Sequence, residues 1–150
     1  MTELGYNYRL TDIQSALGVS QLEKLKNFIT LRRRVVVWYR KELSSVKEIT
    51  LPIELKINYS AWHIFVIRTK NSRSRNRLAE YLKAKGVGIN FHYPAVYSHP
   101  YYRENGYATV KLPNEDKYYK TCLTLPLYPG LKRKDVKYLT DQIKNFYHAD

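Results

Sequence analysis

Three short runs of β-branched and aromatic residues, at 61–69, 87–91 and 121–127, most constrain what this chain can fold into. Each run is short for a helix and rich in the residue types that favour strands. Helix-forming stretches stand before, between and after these runs, so the strands need helices to cover them. The order helix, helix, strand, helix, strand, strand, helix predicts an α+β fold, a small sheet of about three strands covered by helices.

A long helical segment precedes the first predicted strand. Thr11 and Gln14 have the spacing of a capping box, in which each side chain satisfies a backbone N–H of the other residue. Apolar residues then recur at roughly helical spacing as far as Leu43. The span fits either one long helix or two helices joined near Asn27.

The remaining pattern divides into loops and shorter helices. Residues 44–60 carry mixed signals and are interpreted as a connecting loop. A helix is predicted at about 75–85, ending at Gly86, where a left-handed cap suits glycine. A short helix is expected around 114–120, and an amphipathic helix at about 133–147 is expected to lie on the core.

Charge makes polyanions the first class of partner to consider. The 150 residues suit one domain, and they contain 26 Lys and Arg against 13 Asp and Glu, for a net charge of +13. Because the basic residues are spread along the chain, three interpretations stay open: a solvated basic surface, capture of a phosphorylated small molecule, or nucleic-acid binding. Six scattered glycines exclude a glycine-rich phosphate loop.

Other composition features exclude several classes of site and suggest a location. A lone cysteine, Cys122, rules out an internal disulfide and a multi-cysteine zinc site. No apolar run reaches the roughly 20 residues that a membrane span needs. Met1 is followed by polar residues and not by a signal peptide, so we expect a cytoplasmic protein without a membrane partner.

Histidines and the cysteine do not assemble into a recognisable catalytic or metal-binding pattern. His63 falls in the predicted apolar strand, where a buried histidine with satisfied hydrogen bonds is expected. His92 and His99 share one loop without a third ligand at suitable spacing, so no metal site is predicted. Cys122 is interpreted as a small buried apolar residue rather than an activated thiol.

Two segments suggest binding chemistry. Residues 5–12 bring the amide of Asn7, the guanidinium of Arg9 and a helix N-terminus together, and each of the three suits a phosphate. His92 and Tyr93 stand before Pro94 at the exit of a predicted strand, where they fit a sugar or nucleotide contact. A solvated lead-in to a helix and an ordinary aromatic-rich loop are the respective alternatives.

The chain resembles the C-terminal portion of the DegT-type sugar aminotransferases. The resemblance rests on GYNYRLTDIQSALGVSQLEKL, AWHIFVIR, GVGINFHYPAVYSHPYY and TCLTLPLYPGL, which stand in the family's order. It implies the fold of the small C-terminal domain of fold-type-I aminotransferases, preceded by a long helical segment. We therefore expect an arm at 1–10, a linking helical segment at 11–44 and a small α/β domain at 45–150.

The resemblance also implies a function and its residues. Family members use pyridoxal phosphate to aminate keto-sugars attached to nucleotides, with a donor such as glutamate. By resemblance, Asn7 reaches the cofactor phosphate of a neighbouring subunit in a homodimer, and Arg9 lies near the same site. His92 and Tyr93 correspond to the pair that lines the nucleotide-sugar cleft. The spacing to His99 departs from the family pattern, so no role is carried over to it.

The family places the cofactor-bonding lysine and its acidic partner in a large domain that has no counterpart in this sequence. We therefore expect no catalytic residue in this chain, no cofactor bound to it alone and no activity without a partner. That partner is an N-terminal large domain or a full-length aminotransferase subunit. Two alternatives are a basic nucleic-acid-binding or regulatory module without enzyme activity, and a remnant that only pairs with a full-length enzyme.

Overall fold

Four helices and a three-stranded antiparallel sheet form the fold in the computed structural model, which describes residues 5, 6 and 8–148. The helices are α1 (Asp12–Leu43), α2 (Ser72–Ala84), α3 (Pro113–Thr121) and α4 (Arg133–His148), and the strands are β1 (Ile49–Thr50), β2 (Phe65–Thr69) and β3 (Cys122–Leu125). Short helical turns occupy Val96–Ser98, Pro100–Tyr102 and Arg103–Tyr107. The architecture confirms the predicted α+β class.

The central strand of the sheet is β2, and both of its neighbours are antiparallel to it. Ile49 pairs with Thr69 on one side, and Phe65 pairs with Leu125 on the other. The sheet therefore has the predicted number of strands, but its members differ from those expected. The connecting loop predicted at 44–60 contains β1, whose two residues are too few to give a periodic pattern.

The segment 87–91 does not form the strand that its composition predicts. It makes only an isolated bridge, in which Asn90 and Thr124 exchange two backbone hydrogen bonds of 3.2 and 2.8 Å. Gly88 lies inside this segment, and glycine weakens a strand because it has no side chain to pack. The segment still lies beside β3, which matters for the site described below.

The long segment before the sheet is one continuous helix, so the two-helix alternative is wrong. The 32 residues of α1 correspond to a length of about 48 Å. The predicted capping box is present: Gln14 N donates to Thr11 Oγ1 over 3.3 Å, and Thr11 N donates to Gln14 Oε1 over 2.9 Å. Within the described residues, none of the helices has the length and apolarity required to span a bilayer.

The hydrophobic core lies between the sheet, the second half of α1, α2 and α4. Tyr39 of α1 and Phe65 of β2 are fully buried and stack with their ring centroids 4.9 Å apart. Burial of a side chain of this size contributes about 1.5–3 kcal/mol to folding. Further fully buried members of the core are Val35, Ile67, Leu78, Leu82, Leu123 and Ile143. Only the second half of α1 contributes to this core.

An ion pair fixes the 52–62 loop against α1. Two nitrogens of the Arg33 guanidinium donate to the two carboxylate oxygens of Glu54, over 2.6 and 3.0 Å. Ser60 N also donates to Glu54 Oε1, over 2.6 Å. These hydrogen bonds, with the hydrogen bond from Arg33 the largest contribution, lower the pKa of Glu54 from 4.5 to about 2.

We expect Glu54→Gln to make stability less dependent on pH below about 4.5. In the wild type, Glu54 is ionised when folded, so its stabilising effect is complete above pH 4.5 and is lost as the pH falls toward about 2. The variant should be less stable than the wild type at pH 7, and the difference should shrink through that window. Urea unfolding at a series of pH values measures this, and Glu80→Gln, an exposed change of the same charge, serves as the control. Parallel pH profiles for wild type and Glu54→Gln would contradict it.

Candidate functional site

A groove of about 300 Å³ opens where β2 begins and β3 ends. It is lined by residues 63–64, residues 88–90 with His92, and residues 124–127. The polar side chains that line the groove are those of His63, Asn90, His92 and Thr124. Its size lies at the lower end of the range for small-molecule sites. We refer to it as the histidine groove.

His92 is held in place by neighbouring residues of the sheet. Its ring Nδ1 lies 2.8 Å from Thr124 Oγ1, and Thr124 is itself fixed by the two backbone hydrogen bonds to Asn90. The Cys122 thiol donates to the His92 carbonyl over 3.7 Å. Across the described part of the chain, Nε2 of His92 has no hydrogen-bond partner, so it is the ring nitrogen available to a ligand.

Tyr93 lies beside His92 at the surface of the protein. The two residues are joined by a cis peptide bond, and their rings meet edge to face with centroids 4.5 Å apart. The Tyr93 side chain is 64% exposed and does not line the histidine groove. The predicted pair is therefore together in space, with His92 in the groove and Tyr93 at the surface next to it.

The structure corrects the prediction for His63. This residue is exposed on a bend before β2, and it lines the groove instead of the core. The preceding residue, Trp62, has a positive φ of 50° and is buried in the core. Because Trp62 fills the inward position at this turn, His63 faces solvent. His99 is also exposed and does not line the groove.

Cys122 has the character predicted from the sequence. It is fully buried in β3, and desolvation raises the pKa of its thiol. A buried thiol with a raised pKa is a poor nucleophile at neutral pH. In the residues that the structure describes, no three His, Cys, Asp or Glu side chains are grouped closely enough to hold a metal ion.

The arm before α1 is exposed wherever the structure describes it. Tyr6, Tyr8 and Arg9 all lie at the surface, whereas Asn7 lies outside the described residues. The Arg9 side chain has no ion pair or hydrogen bond with any residue between 8 and 148. The first buried residue of α1 is Val35, about 35 Å along the helix from its start. The described residues of the arm therefore lie far along the helix from the core of their own chain.

The N-terminus of α1 is already capped by side chains of its own chain. Thr11 and Gln14 cap the helix, and Asp12 places a negative charge in its first turn. An anion near this helix end would meet both the occupied cap and the Asp12 carboxylate. Of the anion-binding features predicted for residues 5–12, the guanidinium of Arg9 is the described group that is free to bind a phosphate.

The first half of α1 exposes a row of apolar side chains. Ile13 is 84% exposed, Leu17 61% and Leu25 43%. At about 100° per residue these three side chains lie within about 120° of the helix circumference, and we call them the α1 apolar face. Scattered single hydrophobic residues are normal at a surface, but aligned apolar side chains over about three helical turns are typical of a contact with another protein body.

Sequence reasoning missed Thr124 and Asn90 as part of the groove. A usable signal exists for Thr124, because side chains alternate along a strand and Cys122 and Thr124 therefore share one face of β3. Both contact His92, whereas Leu123 and Leu125 face the core. Asn90 carries no such signal, since its position depends on the isolated bridge to β3.

Comparisons with known proteins agree on one family. The family model described as the DegT/DnrJ/EryC1/StrS aminotransferase family matches residues 1–144. The fold is similar to that of Helicobacter pylori PseC, an aminotransferase involved in the biosynthesis of pseudoaminic acid, with 23% identity, 99% of this chain covered and a TM-score of 0.89. DesV from S. venezuelae is 27% identical over 97% of this chain, with a TM-score of 0.87.

The chain spans well under half the length of these solved structures. It covers 40% of PseC and 38% of DesV. Spr1654 from Streptococcus pneumoniae, solved in its PLP form, is 22% identical with a TM-score of 0.82, and the match covers 94% of this chain and 36% of Spr1654. The shared fold is thus that of one part of each larger protein.

Proposed function

The chain belongs to the DegT/DnrJ/EryC1/StrS aminotransferase family, and from this premise we propose that it is the small C-terminal part of a pyridoxal-phosphate-dependent sugar aminotransferase. The proposed substrate is a keto-sugar linked to a nucleotide, and the proposed amino donor is glutamate. The proposed setting is the cytoplasm, in a homodimer whose subunits each include a large domain. The proposed division of the chain is an arm at 1–10, a linking helix at 11–44 and the small domain at 45–150.

The α1 apolar face is the observation that carries this proposal. The three side chains of the face have no cover in the described chain, although together they present apolar area of the kind that proteins bury. A large domain packed on this half of α1 would cover them. The small share of each relative that the chain matches supports the same view, because it leaves room for such a domain in a complete enzyme.

The arm is proposed to contact the phosphate of the cofactor bound to a neighbouring subunit. Arg9 fits such a group because a guanidinium grips a phosphate with two N–H groups, and Arg9 has no competing partner among residues 8–148. Asn7 is proposed to donate its side-chain amide to the same phosphate. The distance of about 35 Å between the arm and the core supports a contact outside the arm's own small domain.

Residues of the small domain are proposed to bind and orient the substrate. Nε2 of His92 is proposed to hydrogen-bond a sugar hydroxyl or phosphate oxygen, while Thr124 holds the ring in position at Nδ1. The exposed ring of Tyr93 is proposed to contact the nucleotide. When bound to the large domain, the cofactor supplies the electron sink for amino-group exchange. This chain contributes binding and orientation, and the catalytic lysine is assigned to the large domain.

The proposal predicts that activity appears only when this chain is combined with a large domain. The purified chain alone should neither transfer an amino group from glutamate nor show the visible absorbance of bound pyridoxal phosphate. Mixing it with the separately produced large-domain part of the complete enzyme should restore both signals. The measurement is amino transfer to a nucleotide-linked keto-sugar, with the absorbance spectrum recorded in parallel. A complex that forms and remains inactive would overturn the proposed function.

The same mixture tests the arm. Arg9→Gln should weaken cofactor binding by at least about tenfold, since a hydrogen bond to a charged group contributes about 1.5–3 kcal/mol. Arg103→Gln removes the same charge from an exposed position elsewhere and should leave cofactor affinity unchanged. Equal losses for the two variants would show that overall charge matters and that Arg9 makes no specific contact.

A further inference from the structure

A second groove lies at the opposite end of β2 and β3 from the histidine groove. It has a volume of about 440 Å³ and lies between residues 70–72, which follow β2, and α3. Its charged side chains are those of Lys70, Asp116, Lys117 and Lys120. We call it the lysine groove. Neither the sequence motifs nor the proposed aminotransferase function assigns any role to it.

Buried hydrogen bonds connect the two walls of the lysine groove. The hydroxyl of Thr69, which is only 6% exposed, bonds to the carbonyl of Asn71 over 2.9 Å and to that of Thr121 over 3.4 Å. The Thr121 hydroxyl in turn donates to the Lys117 carbonyl over 2.8 Å. The same buried threonine therefore links the two walls of the groove through hydrogen bonds.

The lysines of the lysine groove are not neutralised by ion pairs. In the part of the chain that the structure describes, none of Lys70, Lys117 and Lys120 takes part in an ion pair. Lys117 and Lys120 are three residues apart on α3, so they are neighbours on the helix surface and repel each other. The single carboxylate, Asp116, already accepts a hydrogen bond of 2.6 Å from the Tyr97 hydroxyl.

We propose that the lysine groove binds a small molecule carrying two linked phosphates. Three lysines against one aspartate give the groove a formal charge of +2, which attracts an anion, and three separate ammonium groups can bind oxygens of two adjoining phosphates. Ser72 lines the same groove and adds a hydroxyl donor. The volume falls within the range of small-molecule sites. Asp116 lines the groove among the lysines, so the groove lacks the uniformly positive surface that suits a nucleic-acid backbone.

The test is calorimetric titration of the full chain with inorganic pyrophosphate at about 0.15 M salt. Pyrophosphate should bind at one site, at least about tenfold more tightly than orthophosphate, because a second charged group adds its own hydrogen bonds. Lys117→Gln/Lys120→Gln should weaken this binding at least about tenfold. Lys132→Gln/Lys134→Gln removes the same charge from exposed positions at the start of α4 and should change the affinity less than about twofold.

Two results would overturn the proposal. Equal losses of pyrophosphate affinity in the two double variants would mean that binding depends only on net charge. Tighter binding of a single-stranded DNA oligonucleotide than of pyrophosphate, lost in Lys117→Gln/Lys120→Gln, would identify a nucleic-acid surface instead. Circular dichroism confirms that the variants, whose changes are exposed, remain folded. The result is independent of the aminotransferase proposal, because pyrophosphate binding is measured on this chain without a large domain.

Discussion

The double variant Ile13→Asp/Leu17→Glu should fold normally and fail to assemble with a large domain. Both side chains are well exposed in the isolated chain, so their replacement removes no contact of the small domain. If a large domain covers the α1 apolar face, the variant instead places two charges in a buried interface. Loss of two buried side chains, each contributing about 1.5–3 kcal/mol, should weaken assembly at least about a hundredfold. The dissociation constant and the restored activity are the measurements.

Val19 provides a matched control for this experiment. It is 62% exposed and lies two residues after Leu17, which places it on the opposite side of the helix. Val19→Glu should therefore leave assembly close to that of the wild type. If the double variant assembles normally, the α1 apolar face is not the contact surface, and the main support for the proposed function is lost.

The substitution Phe65→Ala should destabilise the domain more than any surface change discussed above. Phe65 is fully buried in the central strand and lies between Tyr39 and Trp62, with ring centroids at 4.9 and 6.1 Å. Truncation of a buried phenylalanine removes its burial energy and leaves a cavity, at a cost of about 3–5 kcal/mol. Because small domains have total stabilities of about 5–15 kcal/mol, much of the free energy of unfolding should disappear. Urea unfolding followed by circular dichroism measures the loss.

A substitution at the neighbouring residue, Val66, distinguishes loss of core packing from loss of strand propensity. Val66 occupies the same strand but is only half-buried, so Val66→Ala should cost much less than Phe65→Ala. A cost for Phe65→Ala below about 1 kcal/mol would mean that the aromatic stack does not hold the core together.

Sequence patterns predicted the helices of this fold better than its strands. Helices α1, α2 and α4 depend on local signals, namely the capping box at Thr11, the glycine at position 86, which has a positive φ in the structure, and the apolar spacing along α4. Membership in a sheet depends on partners distant in the chain. The two residues of β1 carry no periodicity of their own, and the segment around Gly88 has a strand-like composition but forms only one bridge.

In the candidate site, too, local sequence features were predictable and contacts between distant residues were not. His92 was predicted from its place after an apolar run, and the structure puts it in a groove. Its hydrogen bond to Thr124 joins residues 32 positions apart, and no local sequence pattern predicts such a contact. His63 was misplaced because an apolar run suggested a buried strand, whereas the positive φ of Trp62 turns the chain before β2 begins. The roles of Asn7, Arg9, His92 and Tyr93 rest on the family resemblance and stay predictions.

Because α1 is one continuous helix, it connects the core of the domain rigidly to the arm that carries Arg9. Its second half packs into the core, and its first half is exposed and continues from the second half without interruption. A rotation of the small domain by about 10° would therefore carry the Arg9 end, about 35 Å away, through roughly 6 Å. If the function is as proposed, opening or closing of the small domain would therefore displace Arg9 relative to the phosphate of the neighbouring subunit, and cofactor binding would depend on the orientation of the domain.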